Sequence, residues 1–96
     1  MIAYLVIWSP LAEETYLYVL TQVLEKWTIR EAEELETKVE SLIDKLRTHK
    51  YLCPASKKQK SLRRCVISPQ TSLIYQINED IIELVAFIDN RSLHQY

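Results

Sequence analysis

The segment from Lys45 to Arg64 contains eight lysines and arginines and no aspartate or glutamate. Its formal charge is +8, whereas residues 1–44 carry −6 and residues 65–96 carry −3, so the chain total of −1 conceals a strongly positive segment. Such a segment attracts phosphates or acidic peptides and speeds association with them. A charge run is also typical of a plain solvated loop. The eight cations are Lys45, Arg47, Lys50, Lys57, Lys58, Lys60, Arg63 and Arg64.

Arginine, histidine and tyrosine are the side chains in this chain that suit chemistry at a phosphate. Arginine supplies charge and binds two phosphate oxygens at once, and histidine and tyrosine can exchange protons. The lysines Lys57, Lys58 and Lys60 are expected to steer an anion without conferring specificity. The candidates for closer contact are Arg63, Arg64, Arg91, His94 and Tyr96.

Each candidate also has a plainer structural interpretation. Arg63 and Arg64 fit a solvated sheet edge as well as they fit a phosphate contact. Arg91 can pair with a neighbouring carboxylate, and such surface pairs contribute only ~0–1 kcal/mol. His94 and Tyr96 lie near the C-terminus, where fraying is common.

The remaining composition excludes several kinds of site. The chain has no glycine, which argues against glycine-rich phosphate loops and therefore against a nucleotide cofactor. Cys53 and Cys65 are too few for a disulfide framework or a paired zinc motif, and we interpret them as reduced cytosolic thiols. His49 and Cys53 have a possible metal spacing, but two ligands do not close a zinc site. We expect no metal and no cofactor.

No apolar run approaches the ~20 residues that a membrane span needs. The apolar start of the chain, residues 1–8, lacks the basic flank and small-residue cleavage site of a secretory signal. The sequence therefore predicts a cytoplasmic protein with no membrane partner.

Hydrophobic periodicity divides the chain into six elements. A short apolar run predicts a first strand, which Ser9-Pro10 ends while starting a helix. A Thr28–Glu31 capping box starts a second helix immediately after the first. Tyr16, Val23 and Trp27 are expected on the buried face of the first helix, and Tyr4, Trp8 and Tyr75 are core candidates as well. The predicted elements are a strand at 2–8, helices at 10–26 and 28–48, a loop at 51–60, and strands at 62–67, 72–77 and 81–88.

The predicted fold is α+β, with the order β-α-α-β-β-β in a single domain spanning residues 1–96. Two helices joined this tightly form a hairpin, which needs a sheet to bury its apolar stripe. We expect an antiparallel four-stranded sheet with the hairpin on one face, the first strand antiparallel to the second, and the other face partly open. This fold is expected to gather Lys57, Arg63, Arg64 and Arg91 on one common surface.

This layout resembles the RelE/ParE superfamily, the toxins of type II toxin–antitoxin pairs. The similarity covers nearly the whole chain and rests on the order and spacing of several segments. These are Ile7-Trp8-Ser9-Pro10-Leu11-Ala12-Glu13; Trp27 with Ala32-Glu33 and Val39-Glu40-Ser41-Leu42; Leu62-Arg63-Arg64-Cys65-Val66-Ile67; Ser72-Leu73-Ile74-Tyr75-Gln76-Ile77; Ile81-Ile82-Glu83-Leu84; and Asp89-Asn90-Arg91. The resemblance implies a bacterial or archaeal cytoplasmic protein that a cognate antitoxin neutralises.

One branch of this superfamily cleaves mRNA on the ribosome, without a metal, and another poisons DNA gyrase. In the ribonuclease branch, basic residues on the middle strands and after the last strand surround the RNA, and a C-terminal tyrosine or histidine often completes the set. By this resemblance Arg63 and Arg91, with His94 and Tyr96, are the catalytic candidates. The chain departs from the pattern where Ser72 and Cys65 stand at expected basic positions.

Because those two cations are missing and the helix hairpin is ParE-like, the resemblance favours the ParE-like, plasmid-stabilisation branch, which inhibits DNA gyrase by binding. The alternative is a RelE-like, ribosome-dependent mRNA endoribonuclease. A further alternative is an inactive interaction module of the same fold. In each case we expect a hetero-oligomer with an antitoxin, whose flexible C-terminal segment covers the basic loop or the apolar surface of the helix hairpin.

Overall fold

The computed structural model describes residues 3–91 and residue 96, and it contains the six expected elements in the expected order. The Ser9 hydroxyl caps the first helix by accepting a hydrogen bond from the Ala12 amide at 3.0 Å. The predicted capping box of Thr28 and Glu31 starts the second helix, with Thr28 as the N-cap and Glu31 in the first turn. The bounds are β1 Leu5–Trp8, α1 Pro10–Lys26, α2 Ile29–Leu46, β2 Arg63–Val66, β3 Thr71–Asn78 and β4 Ile81–Asp89.

The four strands form one mixed sheet in the order β1-β4-β3-β2. β2, β3 and β4 are the predicted antiparallel meander, but β1 lies parallel to β4, so the prediction of a fully antiparallel sheet is wrong. The cause is the path of the hairpin. The Tyr4 amide donates to the Arg47 carbonyl at 2.7 Å, so α2 ends beside the start of β1. The chain therefore re-enters the sheet from the end at which β1 began.

The main core lies between the hairpin and one face of the sheet. α2 contributes a regular buried stripe at three- and four-residue spacing, whereas α1 buries only Ala12 fully and leaves Tyr16 and Val23 half-buried. Trp27 is 61% exposed, so its placement on the buried face was wrong; it is the residue at which α1 ends. The buried α2 residues are Ala32, Leu35, Val39, Ile43 and Leu46.

Three aromatic rings join β1, α1 and β4. The Trp8, Tyr16 and Phe87 ring centroids lie 4.9–5.5 Å apart in pairs, a spacing at which aromatic contacts add to area burial. Burial, followed by the nearby Glu36 and Glu40 carboxylates, raises the pKa of the Tyr16 hydroxyl from 10.0 to about 12. The folded protein therefore holds this phenol neutral over a pH range in which the unfolded chain ionises it.

We expect Tyr16 to make the protein less stable at alkaline pH. Because the folded pKa lies above the unfolded one, the stabilising contribution is complete below pH ~10 and is lost as pH rises towards the folded pKa. Tyr16→Phe should therefore flatten the fall in unfolding free energy between pH 9 and 11.5, measured by urea titration. Tyr18→Phe, at a tyrosine that is 65% exposed, is the matched control. If the unfolding free energy falls equally with rising pH in Tyr16→Phe and in the unmodified protein, Tyr16 is not the cause of the alkaline instability.

The opposite face of the sheet is only partly open, as predicted. Leu62, Ile74, Ala86 and Ile88 form a small second core there, with Tyr96 packed against it. The register between β3 and β4 shifts after Ile74, which is a β-bulge in the ladder.

Cys53 and Cys65 form a disulfide, so the prediction of reduced thiols is wrong. Cys65 lies on β2, and the chain before β2 folds back so that the two Cα atoms come within 5.3 Å. Both residues belong to the main core, with exposed fractions of 9% and 3%. Two cysteines 12 positions apart give no sign of this, because the pairing depends on the path of an irregular segment.

Candidate functional site

Five of the eight cations of the positive segment lie between α2 and β2, in residues 47–62, which we call the basic loop. Its tip is organised by Ser56, which is 3% exposed. The Ser56 hydroxyl accepts hydrogen bonds from the Lys58 and Gln59 amides at 3.3 and 3.5 Å, and the Ser56 amide donates to the Leu62 carbonyl at 2.8 Å. Lys57, Lys58 and Lys60 are therefore exposed on a defined turn.

Tyr75 fastens the base of the basic loop to the sheet. Its hydroxyl donates to the Lys50 carbonyl at 2.8 Å and accepts from the Cys53 amide at 3.3 Å. The ring is fully buried, and that burial raises the pKa of the hydroxyl. The prediction that Tyr75 belongs to the core is confirmed, and the residue also positions the loop.

Arg63 lies on the helix side of β2, opposite Tyr75 in the ladder. One guanidinium nitrogen donates to the Cys53 carbonyl, and the guanidinium carbon lies 4.9 Å from the centroid of the Tyr51 ring. Lys50 reaches the same ring at 5.6 Å and donates to the Glu79 carbonyl at 3.1 Å. Arg63 therefore combines a cation–π contact with a loop carbonyl at the edge of the sheet.

Arg64 points to the opposite face, because adjacent strand residues alternate. Its Nε donates to the Ser72 hydroxyl at 3.3 Å, and its NH2 nitrogen donates to Asn90 Oδ1 at 2.7 Å. The Ser72 hydroxyl donates to the same Asn90 oxygen at 2.5 Å. The Asn90 amide nitrogen then donates to the Ser68 carbonyl at 3.1 Å. A guanidinium thus lies beside Ser72, the position at which the sequence resemblance implies a basic residue.

We expect Ser72→Ala to lower the unfolding free energy by about 1–3 kcal/mol. Ser72 is fully buried, and removing its hydroxyl takes a donor from Asn90 and an acceptor from Arg64, at the usual cost of breaking a buried hydrogen bond. Urea denaturation measures the change, and Ser61→Ala at an exposed serine is the control. Equal stabilities of the two variants would show that the Arg64–Ser72–Asn90 network contributes nothing.

Arg91 lies beyond the end of β4, where its guanidinium holds both oxygens of Asp89 at 3.1 and 3.2 Å. Hydrogen bonds from Arg91 are the main cause that lowers the pKa of the Asp89 carboxyl. Tyr96 packs on the second core, and its backbone oxygen accepts from Ser56. His94 lies outside the described residues.

The predicted site residues therefore do not share one surface. Arg63 lies on the helix side of the sheet and Arg64 on the other side, and Arg91 pairs with Asp89 beyond β4. The expectation of a common cationic surface fails because β2 sends consecutive side chains to opposite faces. Among the candidates within residues 3–91 and 96, Arg64 and Tyr96 lie together on the partly open face.

A concave surface lies between the helix hairpin, the start of β3 and the end of β4, and we call it the hairpin groove. Its volume is about 620 Å³, within the range of ligand-binding clefts. Its floor is apolar and its rim carries both signs of charge. The floor includes Val19, Val23, Leu35 and Phe87, and the rim includes Lys26, Glu31, Glu34, Lys38, Asp89 and Arg91.

The hairpin also carries several exposed apolar side chains, of which Tyr18 and Trp27 line the groove. Leu17, Tyr18, Leu24, Trp27 and Ile29 are each at least 50% exposed. Sequence reasoning placed the apolar residues of α1 in the core and did not predict the groove. The available signal was their number, because α1 carries more apolar side chains than one buried stripe can use.

Across the described residues, 3–91 and 96, no three histidine, cysteine, aspartate or glutamate side chains lie together as metal ligands would. Within the same residues, neither helix combines the length and apolarity needed to cross a bilayer.

No protein-family model and no curated protein sequence matches this chain. Solved structures do. A chain of the chromosomal ParDE toxin–antitoxin system from P. aeruginosa superposes with a TM-score of 0.76 at 8% identity, covering 91% of this chain and 96% of its own. A chain of the toxin–antitoxin complex RelBE2 from Mycobacterium tuberculosis gives 0.61 at 14% identity, covering 96% and 97%.

The YoeB dimer structure from Staphylococcus aureus gives a TM-score of 0.63 at 14% identity and covers 94% of this chain and 99% of its own. Each superposition includes nearly the complete length of both chains, so the likeness is to the entire α+β unit and not to a shared motif. At these identities the likeness is one of fold. The chain has the fold of the RelE/ParE toxin superfamily.

Proposed function

We propose that this protein is the toxin component of a type II toxin–antitoxin pair, and that it inhibits growth in the cytoplasm until an antitoxin binds it. The observation that carries the proposal is the end-to-end superposition on chains from the ParDE and RelBE2 toxin–antitoxin systems. The proposal also accounts for the exposed apolar hairpin, which suits a protein that is bound to a partner for much of its life.

The hairpin groove is the proposed antitoxin site. An amphipathic helix placed there would put its apolar side chains on Val19, Val23, Leu35 and Phe87, and its charged side chains against the mixed rim. A flexible antitoxin segment that continued around the molecule would meet the basic loop, where acidic residues complement the lysines. The complex should therefore weaken with salt to the extent that the lysines contribute.

We further propose ParE-like inhibition of DNA gyrase by binding. Its support is the separation of the cations, because Arg63, Arg64 and Arg91 each hold a different internal partner. The P. aeruginosa ParDE chain also superposes with a higher TM-score than the RelBE2 or YoeB chains.

Ribosome-dependent mRNA cleavage is the second candidate, and one observation favours it. The Arg64 guanidinium lies beside Ser72, so β2 supplies a cation where β3 lacks one. Metal-free RNA cleavage needs such cations to stabilise the charged phosphorane. An inactive module that still pairs with its partner is the remaining possibility.

Two assays run side by side distinguish these functions. Purified protein is titrated into a gyrase supercoiling reaction, and into a translation reaction whose mRNA is mapped for new 5′ ends. ParE-like inhibition predicts loss of supercoiling with intact mRNA. Ribonuclease activity predicts normal supercoiling with new mRNA 5′ ends. If soluble, folded protein affects neither reaction and does not slow growth when expressed, the toxin proposal is wrong.

A further inference from the structure

The Cys53–Cys65 disulfide closes the stretch of chain that carries the densest positive charge. Five cations lie between its two half-cystines, at positions 57, 58, 60, 63 and 64. The bond joins the irregular basic loop to β2, which is an edge strand of the sheet. Whether the two cysteines are oxidised to the disulfide or reduced to thiols therefore affects the position of these cations.

Cys53 is the point at which the attachments of the loop converge. Its amide donates to the Tyr75 hydroxyl, its carbonyl accepts from Arg63, and its sulfur bonds to Cys65. The next carbonyl along the chain, that of Pro54, accepts from the Arg64 amide at 3.0 Å. Movement of Cys53 would therefore break a contact of each arginine and displace the lysine turn, while β2 stays paired with β3.

We propose that Cys53 and Cys65 are a redox modification site that responds to low-molecular-weight thiols and disulfides, and that the bond between them controls how firmly the basic loop is held. The oxidised form fixes the loop and the dithiol form releases it. This inference does not depend on the proposed toxin function.

The exchange is a balanced two-electron reaction. A thiolate attacks the Cys53 sulfur, which is the more exposed of the two, the S–S bond breaks, and Cys65 leaves as a thiolate. A second thiol then attacks the mixed disulfide and leaves as part of a low-molecular-weight disulfide. The protein gains two electrons and two protons and becomes a dithiol. Oxidation by a low-molecular-weight disulfide runs through the same steps in reverse.

The fold is expected to survive reduction. A buried cysteine packs as a small hydrophobic residue, so the core around Cys53 and Cys65 keeps its volume when the bond breaks. The loop then depends on the two Tyr75 hydrogen bonds, on the bonds from Arg63 and Arg64 to the Cys53 and Pro54 carbonyls, and on the turn at Ser56. Tyr75 and the disulfide thus both attach the same segment to the sheet. When either attachment is removed, the order of the basic loop depends more strongly on the other.

Hydrogen exchange followed by mass spectrometry tests this on the purified full chain, oxidised with glutathione disulfide or reduced with dithiothreitol. Reduction should speed exchange of the amides in residues 50–62 at least about tenfold, while β3 and β4 stay protected over the same minutes. The melting temperature should fall by about 10–20 °C, from the lost loop constraint. The double variant Cys53→Ala, Cys65→Ala should match the reduced protein.

A second variant tests whether the two anchors act together. Tyr75→Phe keeps the buried ring and removes both hydrogen bonds of the hydroxyl. We expect it to change loop exchange less than about threefold in oxidised protein and more than about tenfold in reduced protein, since coupled contacts are non-additive.

Three results would overturn the proposal. One is equal loop exchange in the oxidised and reduced proteins. Another is that the amides of the loop and those of β3 and β4 lose protection from exchange together. That result would mean that the disulfide stabilises the whole fold and does not specifically hold the loop. The third is failure of glutathione disulfide to restore slow exchange in the reduced protein. None of these depends on whether the protein inhibits growth or on which target it binds.

Discussion

Val23→Glu is expected to weaken antitoxin binding at least about 100-fold while leaving the protein folded. Val23 is half-buried on α1 and lines the hairpin groove with Val19, Leu35 and Phe87. In the free protein the new carboxylate can reach water at the groove opening. In the complex it would be covered by the apolar side of the partner segment, and burying an unpaired carboxylate costs several kcal/mol. Each 1.4 kcal/mol is a tenfold change in affinity.

Because the two genes of a type II pair usually lie side by side, the proposed antitoxin is the expected product of an adjacent small gene, and titration calorimetry gives its dissociation constant. Thr21→Glu adds the same charge to the same helix at an exposed position outside the groove, so it serves as the matched control. Circular dichroism establishes that both variants remain folded. If both bind the partner as tightly as the unmodified chain does, the groove is not the antitoxin site.

Leu84→Ala is expected to lower the unfolding free energy by about 2–5 kcal/mol, which is the usual cost of deleting a buried leucine side chain. Leu84 is fully buried on β4, paired with Trp8 of β1 on one side and with Tyr75 of β3 on the other. The alanine leaves a cavity between the hairpin and the centre of the sheet. Because domains of this size have only about 5–15 kcal/mol of stability, the loss is a large fraction of the total.

The corresponding fall in melting temperature is about 10–30 °C, measured by differential scanning calorimetry in oxidised protein. Leu24→Ala makes the same chemical change at a leucine that is 50% exposed and should shift stability by no more than about 0.5 kcal/mol. Similar losses in the two variants would show that the centre of the sheet is not where the stability lies.

Much of the local structure was predictable because it is determined by neighbouring residues. Ser9-Pro10 marks the start of α1, and the Thr28–Glu31 box marks the start of α2. The turn before β4 is also local, and Glu79 adopts the left-handed conformation there with a φ of +55°. The three-strand meander follows from the short spacing of its apolar runs.

The direction of β1 could not be predicted in the same way. It depends on which end of the sheet the chain reaches after the hairpin. The contact between Tyr4 and Arg47 determines that end, and no local sequence pattern predicts this contact. The disulfide is a second example, since it exists because the basic loop folds back onto β2. Both features depend on long-range packing, which periodicity does not encode.

The candidate site was predictable in composition but not in arrangement. The sequence identifies the cations and identifies Ser72 as a departure from the family pattern. It does not reveal that Arg64 occupies the space beside Ser72, because that requires the register Arg64↔Ile74 between β2 and β3. Nor does it reveal the hairpin groove, which α1, α2 and the end of β4 form only when packed together.

We propose that this fold acts as a growth-inhibiting toxin and that a partner neutralises it through the hairpin groove. Growth after induced expression tests it most directly, with and without the adjacent small gene, for the unmodified chain and for Val23→Glu. We predict that both chains arrest growth when expressed alone, and that the partner rescues only the unmodified one. Normal growth of cells containing soluble unmodified chain alone, or equal rescue of Val23→Glu by the partner, would contradict the claim.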